Sequence, residues 1–101
     1  MKRYKELEKL VIEWADDKGI LEKGNTKAQS IKTLEEVNEL IESIENNDKD
    51  EIIDALGDVL VTIIIQSKMQ NLSLESCLES AYNVISKRTG KMIDGTFVKD
   101  K

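Results

Sequence analysis

The run Asp50–Gln66, DEIIDALGDVLVTIIIQ, decides the fold. Its second half, Val59 to Ile65, is β-branched enough to form a buried strand. Helix is the better reading, because the pattern on both sides is helical and no second strand is available to pair with it. Wound at about 100° per residue, Ile52, Ile53, Leu56, Val59, Leu60, Val61, Ile63 and Ile64 occupy nearly the whole circumference, as in a helix buried on most sides. One stripe breaks the pattern. Glu51, Asp54, Asp58 and Thr62 recur at i, i+3, i+7 and i+11, and from Glu51 onward no basic residue occurs until Lys68. An unpaired carboxylate beside a buried surface is costly and persists when it is neutralised, paired or bound to a metal. The plain alternative is that these acids sit on an exposed edge.

Outward from this helix, the turn residues set the remaining boundaries. Asn46-Asn47-Asp48 is a turn, and Asp48 or Asp50 caps a helix that runs to about Asn71. Before it, Thr26 is a candidate N-cap for a helix reaching about Glu45. A first helix covers about Lys2 to Asp17, where Leu7, Leu10, Val11 and Trp14 recur at helical spacing and Gly19 ends the run. Ser73 opens a last helix that ends at Gly90. The tail, residues 91–101, reads as irregular, with a turn at Asp94-Gly95. The expected architecture is all-α, a four-helix bundle in a single domain spanning 1–101.

The helix preceding Asn46 sorts into two sides. Leu34, Val37, Leu40, Ile41 and Ile44 share one, and Glu35, Glu36, Glu39 and Glu42 share the other. Like charges at i,i+4 repel, so a solvated acidic face is the ordinary explanation. Two helices joined by a short turn pack antiparallel, however, and that sets Glu36 and Glu39 opposite Asp54 and Asp58. Four carboxylates converging without His or Cys form a hard-cation site, suited to Mg²⁺ or Mn²⁺. Such an ion keeps open positions for phosphate oxygens, so phosphoryl or nucleotidyl transfer to water is the implied chemistry.

Composition narrows the field in the same direction. The chain has no His, which removes His-based catalysis and most zinc sites, and one cysteine, Cys77, so no intrachain disulfide forms. A net charge of −5 argues against a nucleic-acid polymer or an anionic membrane as partner. The mixed charges of Met1–Glu6 and the absence of a long apolar run lead to the expectation of a cytoplasmic protein. A chain of 101 residues leaves much surface uncovered as a monomer, so self-association is expected.

Two segments resemble known signatures. Glu35-Glu36-Val37-Asn38-Glu39-Leu40 resembles the EExxE motif of the MazG-like nucleotide pyrophosphohydrolases, and Asp54-Ala55-Leu56-Gly57-Asp58-Val59-Leu60 resembles their ExxD motif. The upstream Trp14, Gly19-Ile20, Asn25, Lys27, Gln29 and Lys32 are similar to the segment that leads into EExxE in small members. Tyr82-Asn83 with Lys87-Arg88-Thr89-Gly90-Lys91-Met92 resembles the ending of phage and bacterial members. The resemblance covers most of the chain. It implies Mg²⁺-dependent hydrolysis of an NTP or dNTP to the monophosphate and pyrophosphate, in nucleotide-pool house-cleaning. It further implies Glu36, Glu39 and Asp58 as metal ligands, Glu35 and Glu36 as catalytic residues, with Glu35 holding a ligand or polarising the attacking water, and a homodimer or dimer of dimers. Two departures stand out. Ala55 occupies the Glu position of ExxD, so Asp54, one turn before Asp58, would substitute, or Glu51 and Asp54 would be the pair. Asn38 stands where many relatives have Gly.

Further candidates to contact substrate are Lys32 and Gln29, one and two turns before the EExxE segment, Asn83, and the basic cluster Lys87, Arg88 and Lys91. The plain alternatives are a surface ion pair of Lys32 with Glu35 or Glu36, and helix-dipole complementarity for the cluster. Two rival functions remain open: a catalytically inactive helical interaction protein, favoured by Ala55, and a pyrophosphohydrolase of another nucleotide such as phosphoribosyl-ATP.

Overall fold

The computed structural model describes residues 1–101. Four long or medium helices are present, α1 (Tyr4–Asp17), α3 (Thr26–Glu45), α4 (Lys49–Met69) and α5 (Leu74–Ile85), with a single turn, α2 (Ile20–Lys23), between the first two. Val59–Ile65 is helical throughout. Each long helix after α1 starts on a polar cap. Asn25 accepts from the Ala28 amide at 2.8 Å, Asp48 from Glu51 at 3.2 Å and Ser73 from Ser76 at 3.2 Å. The cap of α3 is therefore Asn25 and not Thr26, which is already inside the helix. Gly19, at φ 79°, closes α1 in the left-handed conformation and lets the chain re-enter a helical turn as α2.

The expected irregular tail is instead a β-hairpin. Strands β1 (Gly90–Ile93) and β2 (Thr96–Lys99) pair antiparallel in the register Gly90 with Lys99 and Ile93 with Thr96. Asp94 (φ 49°) and Gly95 (φ 87°) both take positive φ, the requirement of a tight two-residue hairpin turn. The last helix accordingly stops at Ile85, short of Gly90. Gly90 is a strand residue: a Cβ there would collide with the Val98 carbonyl oxygen and the Phe97 ring. The base of the hairpin is tied by Thr89, whose Oγ1 donates to Asp100 at 2.8 Å.

The α3–α4 pair is the body of the fold. The two helices run antiparallel, linked by Asn46–Asp48, and α1 packs on α4. Polar clamps fix their alignment: Gln29 Nε2 donates to the Thr62 carbonyl at 3.1 Å, and Gln66 Nε2 to the Thr26 carbonyl at 3.0 Å. The faces in contact are not the most apolar ones. On α3 the residues turned inward include Gln29, Thr33, Glu36, Val37, Leu40 and Ser43, while Leu34 (59% exposed) and Ile41 face out. On α4, Ala55, Thr62, Ile64 and Ile65 are buried, but Ile53 and Leu56 are exposed, so this helix is not covered on most sides within one chain. The same holds for α1, where Ala15 is buried while Leu7, Leu10 and Trp14 are exposed. Seven of the 101 residues are buried in all. No helix is long and apolar enough to cross a membrane.

Candidate functional site

Antiparallel pairing places the acidic edge of α3 alongside the acidic edge of α4. A groove of about 250 Å³ opens between them, lined by Glu39, Glu42 and Ser43 from α3 and Glu51, Asp54, Ala55 and Asp58 from α4. The helical period explains why these residues meet. Glu39 and Glu42 lie one turn apart, Glu51, Asp54 and Asp58 follow each other along one stripe, and the Gln29–Thr62 and Gln66–Thr26 clamps set the register that faces the two stripes. Five carboxylates thus share one opening, and no cation of the chain forms an ion pair with any of them.

Glu36 sits next to this groove at the α3–α4 seam. Its side chain is 12% exposed, and Lys32 Nζ lies 3.5 Å from one of its oxygens. The other oxygen, Oε2, is buried with no hydrogen-bond partner. Glu39 lies three residues on, one turn along α3, and the hydrogen bond shared with Glu36 is the main reason the Glu39 carboxyl is pushed above its ordinary range. The charge of Glu36, desolvation and the charge of Asp58 act in the same direction, with Lys32 opposing. Crowded like charges make proton binding favourable at Glu39, and they make binding of a cation favourable for the same reason. The Lys32 ammonium is held charged by Glu35, 3.4 Å away, and secondarily by Glu36.

The donor set fits a hard divalent cation. It offers only carboxylate oxygens, one of them buried and unpartnered, on two elements fixed relative to each other. The carboxylates line an open groove, and no three of them are drawn into a ready-made cage. Mg²⁺ suits such a site, because it retains waters and takes few protein ligands.

Of the residues singled out in the sequence, Glu39, Asp54 and Asp58 line the groove and Glu36 adjoins it. Glu35 is exposed and paired with Lys32, which matches the plain alternative for that lysine. Gln29 is buried with its amide nitrogen engaged on Thr62. Asn83 lies on α5, Lys87 and Arg88 in the segment between α5 and β1, and Lys91 on β1; none of them lines the groove, and the three cations form no ion pair. Glu42, Ser43 and Glu51 were outside the first-choice ligand set. Glu42 is detectable from its i+3 spacing to Glu39, and Glu51 from the stripe it shares with Asp54. Ser43 carried no signal in the sequence. Ala55 forms the floor of the groove and is buried, with Asp54 and Glu51 presenting acids on either side of it.

Comparison with known proteins agrees with this geometry. Residues 26–93 match the MazG nucleotide pyrophosphohydrolase domain, a span that includes both acidic helices, α5 and the first hairpin strand. The chain is 33% identical over 79 residues to an uncharacterized 18.2 kDa protein in the rep-hol intergenic region of Haemophilus phage HP1 (strain HP1c1). That alignment covers 78% of this chain and 47% of the phage protein, so the chain spans about half the length of the curated relative it matches. No solved structure matches it. With the domain match spanning both acidic helices, the chain belongs to the MazG nucleotide pyrophosphohydrolase family.

Proposed function

We propose that this protein hydrolyses a nucleoside triphosphate, NTP or dNTP, to the monophosphate and pyrophosphate, clearing nucleotides from the cytoplasmic pool. The observation that carries this reading is the run of carboxylates along the α3–α4 groove, with the unpartnered Glu36 Oε2 beside it. Glu36, Glu39, Asp54 and Asp58 are the residues assigned to hold Mg²⁺ or Mn²⁺, with Glu51 within the same opening. When bound, the cation supplies the positive charge that admits a polyphosphate to an acidic groove and makes water a usable nucleophile near neutral pH.

The chain's own residues do the rest. Water attacks the α-phosphorus, the bond from that phosphorus to the bridging oxygen breaks, and pyrophosphate leaves with the bond's electrons. Glu35, on the same edge of α3 as Glu39, accepts the proton of the attacking water. Lys32, held between Glu35 and Glu36, turns toward a phosphate oxygen when substrate displaces that pairing. The rigid α3–α4 alignment keeps the two halves of the ligand set in register, which is the positioning part of catalysis.

Pyrophosphate release from a panel of NTPs and dNTPs, with phosphoribosyl-ATP included, tests this directly. Release that depends on Mg²⁺ and is abolished in Glu39→Gln is expected. No release from any nucleotide at millimolar Mg²⁺ would instead support the inactive helical interaction protein, the reading that Ala55 in place of an acid favours.

A further inference from the structure

One cation of the chain touches the proposed ligand set. Lys32 Nζ lies 3.5 Å from Glu36 Oε1 and 3.4 Å from Glu35 Oε2, and the other cation in an ion pair, Lys5, meets Glu75. The two anchors of Lys32 differ in setting. Glu36 is turned into the α3–α4 seam, with 12% of its side chain exposed, whereas the Glu35 side chain stands in solvent on the same helix. Lys32 therefore bridges a carboxylate that belongs to the site and one that lies outside it.

This bridge is weakly made. Both pairs place the lysine on the N-terminal side of its acid, the less favourable order on a helix, and the lysine side chain is itself exposed. The two distances are nearly equal, so passing from both carboxylates to Glu35 alone needs a side-chain rotation and no movement of the backbone. Glu36, in contrast, gains from a stronger cation, because its Oε2 is buried without a partner while only Oε1 meets the lysine. A Mg²⁺–oxygen bond is about 2.1 Å long, so an ion on either oxygen of Glu36 stands within about 8 Å of the ammonium where it now lies. At that separation the two positive charges still repel at physiological salt. A dication and the ammonium cannot share Glu36 without cost, and the exposed Glu35 offers the ammonium a place to go.

We infer that Lys32 is an internal stand-in for the metal: it neutralises Glu36 in the metal-free chain and passes to Glu35 alone when a divalent cation takes Glu36. The inference rests on the reading of Glu36 as a metal ligand and is independent of which nucleotide is hydrolysed. Its consequence is a threshold. Loading the groove must break the Lys32–Glu36 pair, so the chain binds its cation more weakly than the carboxylates alone would, and it stays empty until the free ion is abundant enough. Once loaded, Lys32 is held by an exposed acid only, the state from which it turns toward a phosphate oxygen.

Mn²⁺ binding to the full chain without nucleotide, followed by electron paramagnetic resonance of the free ion, tests this. Lys32→Gln is expected to bind Mn²⁺ about five-fold more tightly than wild type, the scale of one lost pair, and Lys32→Arg to bind like wild type because a guanidinium remakes the bridge. Glu35→Gln is expected to weaken binding about three-fold in wild type but by less than about two-fold in the Lys32→Gln background, since the anchor matters only while there is a lysine to receive. Unchanged or weaker binding by Lys32→Gln would overturn the inference. An equal loss on Glu35→Gln with and without Lys32 would overturn it too, because Glu35 would then act as a ligand or through its charge alone. If no variant binds Mn²⁺, the metal site and the proposed function fall together; binding without these shifts removes the stand-in role and leaves the site intact.

Discussion

Glu36 is where the chain's stability and its proposed chemistry conflict. A carboxylate with one oxygen buried and unpartnered destabilises the fold unless something positive meets it. Glu36→Gln removes that charge and its repulsion with Glu39. The variant is expected to be more stable than wild type by about 1–2 kcal/mol in chelator, and to lose the extra stability that Mg²⁺ gives the wild type. Thermal melts with and without Mg²⁺ check both halves, and a variant less stable than wild type in chelator would show that Glu36 is satisfied by contacts of its own. Beside Leu60 and Ile63, desolvation and the neighbouring Glu8 push the Tyr4 phenol up to about 12. A raised folded-state value means a contribution to stability that is complete below the phenol's ordinary value near 10 and is lost as pH rises through about 12. Ultraviolet titration of Tyr82→Phe, which leaves Tyr4 as the sole tyrosine, is expected to show that late midpoint, and Glu8→Gln to bring it down.

The helices were legible in the sequence because their signals are periodic and long, and the boundaries were less so because capping depends on a single side chain. Thr26 has the chemistry of a cap, yet Asn25 performs it, since the chain enters extended at Asn25 and is already helical at Thr26. Asn25→Ala is therefore expected to cost about 1 kcal/mol and Thr26→Ala much less, measured by urea unfolding; the reverse order would return the cap to Thr26. Gly57 is a second element-scale test. It lies in the middle of α4, exposed, and a Cβ there would meet nothing within 4 Å. Gly57→Ala is expected to stabilise the chain by about 0.5–1 kcal/mol through helix propensity alone. The hairpin escaped notice although Asp94-Gly95 was recognised as a turn. Its strands are four residues each, too short for alternation to register, and Gly90 resembles a helix stop when it is in fact the residue that lets β1 approach Phe97 and Val98.

At the scale of the whole molecule, the acidic site could be read from the sequence better than the core could. The carboxylates obey the helical period on both helices, and antiparallel packing alone brings them to one groove. The apolar stripes obey the same period but do not point at each other. Helices α3 and α4 meet along the seam between stripe and acids, where Gln29, Ser43 and Thr62 are buried, and leave Leu34, Ile41 and Leu56 outside. Periodicity shows which residues share a face; it does not say whether that face meets the same chain or another. Mass action offers a global check on the groove: Mg²⁺ at a hundred times its dissociation constant is expected to stabilise the chain by about 2.7 kcal/mol, and Asp54→Asn with Asp58→Asn to abolish that gain.

The joint holding of one cation by α3 and α4 is tested most directly by titrating Mn²⁺ into isotopically labelled protein and following the paramagnetic broadening of each backbone amide. The expected result is early, saturable loss of the signals around Glu36–Ser43 and Glu51–Asp58, reversed by excess Mg²⁺, with β1 and β2 unaffected. Broadening confined to one of the two helices, or spread evenly over the acidic surface, would contradict it.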